Sequence, residues 1–286
     1  MKRSTNILYG LSLAFGMTSV AGVQAQTVLD GAFIKEHTKT QRVVPYPYIR
    51  EADVMWERRV WRMIDLREKI NLPLYYPVKP INDRKSLFDV IKQGVLEDGS
   101  ITAYNPGAVG QDDEFKVPFT PAEVKGLLSK IDTLQRPNLV TDEMETIIDT
   151  SDVTSENIKQ YLLKEDWIFD RQRSVMDIRI IGICPMKEVI DKNDGSVRGY
   201  QPLFWLYFPE LRYVLVNWDV FNRENDAERR SFDHLFWTRE FNSTITKVSN
   251  VYDRNISEYQ TGMDALLQSE EIKADLFNFE HDLWNF

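Results

Sequence analysis

The chain is poor in cysteine and histidine, which excludes several kinds of compact site. Its 286 residues contain one cysteine, Cys184, and three histidines, His37, His234 and His281. A single cysteine cannot form an intramolecular disulfide, and the histidines have no neighbouring ligand at zinc-site spacing. Because Cys184 lies in the apolar run 180–185, we expect a buried thiol that packs as a small hydrophobic group. An intermolecular disulfide is the alternative.

Positive charge is also scarce, with 35 Lys and Arg residues against 44 Asp and Glu residues. The formal net charge of −9 disfavours wholesale binding to a phosphate backbone, so we expect no nucleic-acid partner. After residue 25 the sequence has no uncharged apolar run of the length that spans a bilayer, so no direct membrane span is expected. The overall composition excludes collagen-like, coiled-coil and wholly disordered chains.

The first 25 residues have the pattern of a secretory signal peptide. A positive start at Lys2 and Arg3 precedes a mostly apolar segment over 7–17. The small residues Val23 and Ala25 then stand at the two positions that define a cleavage site. We therefore expect residues 1–25 to be removed on export. No cysteine stands at the cleavage site, so the chain is not expected to be a lipoprotein.

Residues 26–82 are predicted to form an extended arm followed by a long amphipathic helix. Pro45 and Pro47 push the residues before them out of the helical region, which favours an extended segment over 43–48. Over 51–70, apolar residues share one broad face of a helical wheel, and Asn71 and Pro73 end the predicted helix.

Two interpretations of that segment stay open at this stage. The first is burial of the helix in the chain's own core, with arginine stems lying along it. The second is docking on a partner, since tryptophan and arginine are frequent anchors of interfaces. The candidate partner-contact residues are Tyr46, Tyr48, Arg59, Trp61 and Arg67.

Residues 83–286 are predicted to form the main domain, an α+β fold in which helices flank an antiparallel β-meander. Ser86 and Thr120 begin capping-box patterns, and Ser231 can cap a third helix. Closely spaced β-rich segments favour antiparallel pairing. The predicted strands cover 101–104, 161–169, 175–183, 200–208 and 211–218, and the predicted C-terminal helix covers 262–284.

The segment 164–167 is the densest group of candidate catalytic carboxylates. Its sequence is Lys164-Glu165-Asp166-Trp167. We expect an exposed strand whose charges point outward. A glycosidase-like pair of carboxylates is the alternative. The sequence contains no nucleophile elbow, P-loop or dinucleotide-binding glycine motif.

Several long blocks of the sequence resemble the GldN/PorN family of Bacteroidota. The two longest begin at Val44 and at Lys164, and together the blocks extend over nearly the whole exported chain. They cover 44–47, 50–56, 59–62, 65–69, 74–77, 164–176, 203–212 and 264–267.

This resemblance implies a structural, non-catalytic component of the type IX secretion and gliding machinery. It implies a location in the periplasm, at the inner face of the outer membrane. The implied partners are a GldK/PorK-like outer-membrane lipoprotein, a GldM/PorM-like inner-membrane motor component and neighbouring copies of this chain in a ring. It implies no catalytic residue, metal or cofactor. The alternative from a different class is a periplasmic hydrolase or binder of cell-wall glycan that uses a carboxylate pair.

Overall fold

A computed structural model of the chain describes most residues from 41 to 283. The predicted signal peptide and residues 26–40 lie outside the described part, and for 130–137 and 144–151 only the backbone is described. Thr38–Phe286 form one compact unit. The described ranges are 41–81, 84–107, 110, 112–137, 144–191, 194–222, 224–225 and 228–283.

The described residues form eleven strands, six α-helices and three short 3-10 helices. The strands are β1 Val54–Asp65, β2 Ala103–Tyr104, β3 Ser129–Pro137, β4 Met144–Asp152, β5 Ile158–Asp170, β6 Val175–Ile190, β7 Val197–Pro202, β8 Trp205–Tyr207, β9 Asp219–Val220, β10 Arg230–Ser231 and β11 Thr244–Val248. The α-helices are α1 Leu72–Tyr75, α2 Leu87–Leu96, α3 Pro121–Leu128, α4 Phe208–Leu215, α5 Phe232–Trp237 and α6 Met263–Asp282. The 3-10 helices are Glu51–Asp53, Ser155–Asn157 and Ile256–Glu258.

One seven-stranded antiparallel sheet organises the fold. Its strand order is β11-β1-β5-β6-β8-β2, and β7 also pairs with β6. Two further pairs, β3–β4 and β9–β10, form small sheets of their own. The predicted α+β class with an antiparallel meander is therefore confirmed.

The centre of the sheet is covered on both faces. Paired residues on neighbouring strands share a face, so Val60, Glu165 and Ile180 lie on the first face, while Trp61 and Lys164 lie on the second. The first face carries two separate clusters of buried side chains. The large core lies under helices α1–α5, and the small core lies under α6 and β11.

The two cores differ in size. The large core joins strand residues such as Tyr161 and Leu163 to helix residues such as Phe88 and Leu211. The small core consists of six buried residues, namely Val60, Trp167, Ile245, Val248, Ile256 and Leu276. On the second face, a third cluster joins Trp61, Cys184 and Trp205.

The predicted amphipathic helix over 51–70 is wrong, because residues 54–65 form strand β1, which lies between β11 and β5 in the sheet. A strand that is covered on both faces carries apolar residues at odd and even positions, and such a run also fits a helical stripe. Val60 and Trp61 are adjacent and both buried, which a single-faced surface helix would not allow. The β-branched and aromatic content of the segment was the available signal for a strand.

The strand predicted over 211–218 is also wrong, because most of this segment belongs to helix α4. Pro209 stands in the first turn of this helix, where a missing N–H costs nothing. Leu211 and Leu215, one helical turn apart, are both buried in the large core. The Pro-Glu pair that had suggested a break between two strands is therefore the start of a helix.

The predicted helix caps are confirmed. The Ser86 hydroxyl accepts a hydrogen bond from the Asp89 backbone N–H, and the Ser231 hydroxyl accepts one from that of His234. Thr120 and Glu123 form a complete reciprocal capping box. These local signals fix where α2, α3 and α5 begin, so the positions of their buried faces follow from the sequence.

Candidate interaction surface

The arm over 41–50 lies against the chain through one aromatic side chain, Tyr46. Its ring stacks on Trp237 with centroids 5.2 Å apart, and the Arg212 guanidinium lies 4.5 Å from its centre. Arg212 is itself fixed by a bidentate ion pair with Asp233, with a shortest distance of 2.7 Å. Tyr46 therefore docks on a cation that helices α4 and α5 hold rigid. Burial raises the pKa of the Tyr46 phenol, although Arg212 acts against this shift.

The same arm lies beside a strand segment that has one described neighbour. The first part of β6, up to Ile180, pairs with β5, whereas the pairings of β6 with β8 and β7 begin at Gly182. From this segment, Arg179 donates a hydrogen bond to the Pro47 carbonyl, and its guanidinium lies 5.3 Å from the Tyr46 ring centre. Covering an open sheet edge prevents unplanned strand pairing. The arm thus protects an edge through side chains.

Arg59 belongs to a row of charges across three strands of the second face. It donates two hydrogen bonds to Asp166, at 2.7 and 3.0 Å, and Asp166 lies opposite Arg179 on β6. Arg179 in turn contacts Asp177. We call Arg59, Asp166, Asp177 and Arg179 the charged ladder. The hydrogen bond to Asp166 raises the pKa of Arg59, which stays protonated throughout the working range.

Trp61 lies under a loop rather than on an open surface. Its exposed fraction is 9%, and its indole N–H donates to Asp113 at 2.5 Å. The Lys247 ammonium lies 4.5 Å from the ring centre. The loop that carries Asp113 also inserts Phe115 towards Gly182, where a Cβ would lie 2.6 Å from the ring. The contacts of Trp61 are therefore largely within its own chain.

Tyr48 and Arg67 are the two most exposed of the five candidates. Tyr48 is 87% exposed, two residues beyond the Tyr46 contact. Arg67 forms a bidentate pair with Asp65, with a closest distance of 2.6 Å, just after β1 ends. Burial would raise the pKa of Asp65, but the hydrogen bonds from Arg67 outweigh it and hold the pKa below its usual value. The structure places Tyr46 next to the charged ladder and leaves Arg67 apart from both.

The prediction that the charges at 164–167 point outward is wrong, because all four side chains of this segment are buried. Lys164 donates to the Asp113 backbone carbonyl at 2.7 Å and lies 3.3 Å from its carboxylate. Glu165, on the opposite face, accepts hydrogen bonds from Arg239 at 2.8 and 3.1 Å. Pairing of this kind offsets much of the cost of burying a charge.

Glu165 stands on the first face between the large and small cores. Besides Arg239, it accepts a hydrogen bond from the Trp167 indole at 3.1 Å and lies 4.0 Å from Arg62. Burial lowers the pKa of Arg62, and the nearby Glu165 carboxylate acts against that shift. This network links β1, β5 and the segment after α5 where the two apolar cores meet.

The arrangement of Glu165 and Asp166 does not form a catalytic pair. Neighbouring residues of a strand point to opposite faces, so the sheet itself separates the two carboxylates. Each is also engaged by an arginine, Arg239 on one face and Arg59 on the other. A glycosidase needs two carboxylates that flank one bond from the same cleft, and this segment does not provide them.

Helix α6 has a second apolar face, which we call the outer face. Its inner face packs Leu276 into the small core and places the tilted Phe279 ring against Trp56, with centroids 4.6 Å apart. The outer face presents large apolar side chains that are 53–70% exposed. These are Met263, Leu266, Leu267 and Phe277. Exposed apolar residues on one face of a helix make that face a candidate interaction site.

The only cysteine is buried, as predicted. Cys184 has no exposed surface, and burial raises the pKa of its thiol well above the usual value. Within the described ranges, no cluster of three or more potential ligands could hold a metal ion. Over the same part of the chain, no helix is both long and apolar enough to cross a bilayer.

Sequence reasoning missed the residues that receive the arm and cover Trp61. Arg179, Arg212 and Trp237 lie more than 130 positions from Tyr46, and the hydrogen-bonded pair of Trp61 and Asp113 is separated by 52 positions. No local periodicity encodes such contacts. The aromatic and arginine content of the arm was the one available signal. It predicted a partner contact for Tyr46, and the contacts that the structure gives for this ring lie within the chain.

Comparison with protein families identifies a family for this chain. The model of the family described as gliding motility associated protein GldN matches residues 49–285. This range includes every described strand and helix of the fold. Among curated proteins, none matches this chain.

Proposed function

This chain belongs to the GldN family of gliding motility associated proteins, and we propose that it is a non-catalytic structural subunit of a periplasmic ring. In this proposal the ring is part of the type IX secretion and gliding machinery. The observation that carries the proposal is the family match over 49–285. The signal-peptide pattern of residues 1–25 supports the periplasmic location.

The proposed partners are those that the family resemblance implies. A GldK/PorK-like lipoprotein would hold the chain at the inner face of the outer membrane, and a GldM/PorM-like motor component would approach it from the inner membrane. Neighbouring copies of the chain would complete the ring. The arm beside the charged ladder supports a binding role, because Tyr48 and Arg59 remain accessible there beside Tyr46.

The geometry favours assembly over hydrolysis. The carboxylates Glu165 and Asp166 lie on opposite faces, and each is paired with an arginine. Helix α6 and the arm each carry exposed apolar side chains, which a protein surface can cover. We therefore propose no enzymatic activity for this chain.

The test is co-expression with the GldK/PorK-like lipoprotein encoded by the same genome, followed by purification through the lipoprotein and negative-stain imaging. The proposal predicts large ring-shaped particles that contain both chains. A free chain of monomer size that never accompanies the lipoprotein would contradict it.

A matched pair of variants locates the contact. Tyr48→Ser combined with Arg59→Ala removes the accessible part of the arm and ladder, whereas Tyr252→Ser removes a similarly exposed tyrosine from the loop before α6. We expect the first variant to lose capture by the lipoprotein and the second to retain it. Equal behaviour of the two variants would place the lipoprotein contact elsewhere.

A further inference from the structure

The outer face of α6 is too apolar to be a solvent face and too acidic to meet another acidic surface. Its four exposed apolar residues extend over about 20 Å of helix, at 1.5 Å per residue. The helix also carries six carboxylates and one lysine, Lys273. Because like charges across an interface are strongly disfavoured, a partner for this face should combine apolar side chains with positive charge.

Such a surface exists on the same chain, in the loop between α1 and α2. Tyr76 and Ile81 are 52% and 59% exposed, and Lys79 between them is exposed. We call Tyr76, Lys79 and Ile81 the basic loop patch. Two more cations adjoin it, since Lys159 donates to the Tyr75 hydroxyl at 2.9 Å and Lys85 lies 4.7 Å from the Trp218 ring centre.

Helix α6 runs along the first face of the sheet, and Ser269 in its first half accepts a hydrogen bond from the Ile245 N–H, opposite Arg62 near the end of β1. Phe279, in the last part of α6, packs on Trp56 near the start of β1, whereas α1 and the basic loop patch follow its end at Asp65. The strand has 12 residues and is therefore about 40 Å long. The two surfaces are different parts of the chain, so a contact between them is heterologous and joins copies head to tail, and repeated contacts of this type generate rings when the rotation closes.

We propose that the outer face of α6 in one copy packs on the basic loop patch of the next copy. The inference deepens the proposed function and rests on it, because it assigns the surfaces through which ring neighbours meet. The apolar residues of both patches become buried, and the carboxylates of α6 face the lysines of the loop. An α6–α6 contact is disfavoured by the repulsion between two acidic helices.

The test is sedimentation velocity of the full chain without the predicted signal peptide, at low and high salt. The wild type should self-associate in a concentration-dependent way, and high salt should weaken association by screening the charges. Leu266→Ser with Phe277→Ser should weaken self-association at least about tenfold, and Tyr76→Ser with Ile81→Ser should do the same. Tyr213→Ser is the matched control, because Tyr213 is 68% exposed on α4 and Phe277 is 67% exposed on α6.

Mixing the two double variants gives the decisive result. Each variant alone lacks one surface, but a mixture offers an intact α6 on one chain and an intact loop on the other. We therefore expect dimers in the mixture and no larger assemblies. A loop variant that associates like the wild type, or a mixture that stays monomeric, overturns the proposal, as does an equal effect of Tyr213→Ser.

Failure of this contact is distinguishable from failure of the proposed function. A wild type that remains monomeric under all conditions rules out the α6–loop contact, yet capture by the lipoprotein can still succeed. Loss of lipoprotein capture together with normal self-association would contradict the proposed function and leave the α6–loop contact in place. Thermal unfolding of each variant should match the wild type, because all four substituted side chains are exposed.

Discussion

Two pairs of adjacent residues show how differently the sheet and helix α6 are covered. In the central strand, Val60 and Trp61 are neighbours and both are buried. In α6, Leu276 is 1% exposed and its neighbour Phe277 is 67% exposed. Adjacent residues of a strand point to opposite faces, whereas adjacent residues of a helix are about 100° apart. The sheet therefore has a layer on each side, and α6 has a layer on one side.

The difference separates residues that hold the fold from residues that are available to a partner. Burial on both faces makes β1 and β5 dependent on α-helices on one side and on the loop of Asp113 on the other. Helix α6 contributes one face to the small core and leaves the other exposed. A substitution at the centre should thus reduce stability, and one on the outer face should leave stability unchanged.

The largest expected effect is that of Trp61→Ala. Removing a buried indole leaves a cavity and takes one hydrogen bond from Asp113, and the expected loss in free energy of unfolding is about 3–5 kcal/mol. Tyr48→Ala is the exposed aromatic control and should change stability by less than about 0.5 kcal/mol. Chemical denaturation of both variants measures the difference. Unchanged stability of Trp61→Ala with lost partner binding would instead identify Trp61 as a docking residue.

Glu165→Gln should have the next largest effect. The substitution preserves shape but leaves Arg239 and Arg62 without their buried counter-charge, and the expected cost is about 3 kcal/mol. Partial exposure of Arg239 keeps the value at the low end of the usual range. Asp65→Asn, which breaks the exposed pair with Arg67, should cost less than about 1 kcal/mol. Urea titration measures the free energy of unfolding of both variants. Equal losses in free energy of unfolding for the two substitutions would show that burial of Glu165 does not increase its contribution to stability.

The adjacent pair in α6 tests the comparison directly. Leu276→Ala should lower the free energy of unfolding by about 2 kcal/mol, because it opens a cavity in the small core. Phe277→Ala should change it by less than about 0.5 kcal/mol. Hydrogen exchange should show faster opening of α6 in the first variant, with little change in β5. A large stability loss in Phe277→Ala would mean that the outer face is covered within the monomer.

Tyr46→Ala should have the smallest effect, about 1 kcal/mol, because it removes one stacked ring pair and its cation contact. Burial favours the neutral phenol, so arm docking is complete below the ordinary tyrosine pKa near 10 and is lost as pH rises through the raised pKa. Protease cleavage near Arg42 or Arg50 reports release of the arm. Tyr46→Phe should keep the arm docked at alkaline pH, and release in that variant would exclude ionisation as the cause.

Local sequence signals predicted helix starts well and strand burial poorly. Ser86, Thr120 and Ser231 act within three residues, so their caps could be identified without tertiary structure. The identity of β1 depends on layers formed by residues more than 50 positions away, and its two-faced apolar pattern fits either helix or strand. The burial of Lys164 and Glu165 was unpredictable for the same reason, since Asp113 and Arg239 are their distant partners.

Gly182 lets the loop that carries Phe115 close on the second face of the sheet. Phe115 occupies the space where a methyl group would stand, and it also contacts Trp205 and Tyr207 edge-on. One hydrogen atom on β6 therefore decides whether a loop some 70 positions earlier can close on the second face. With an alanine there, the ring would have to retreat, and water would reach the Lys164 ammonium and the indole of Trp61. Gly182 thus controls the access of water to the second face, although it forms none of the polar contacts there.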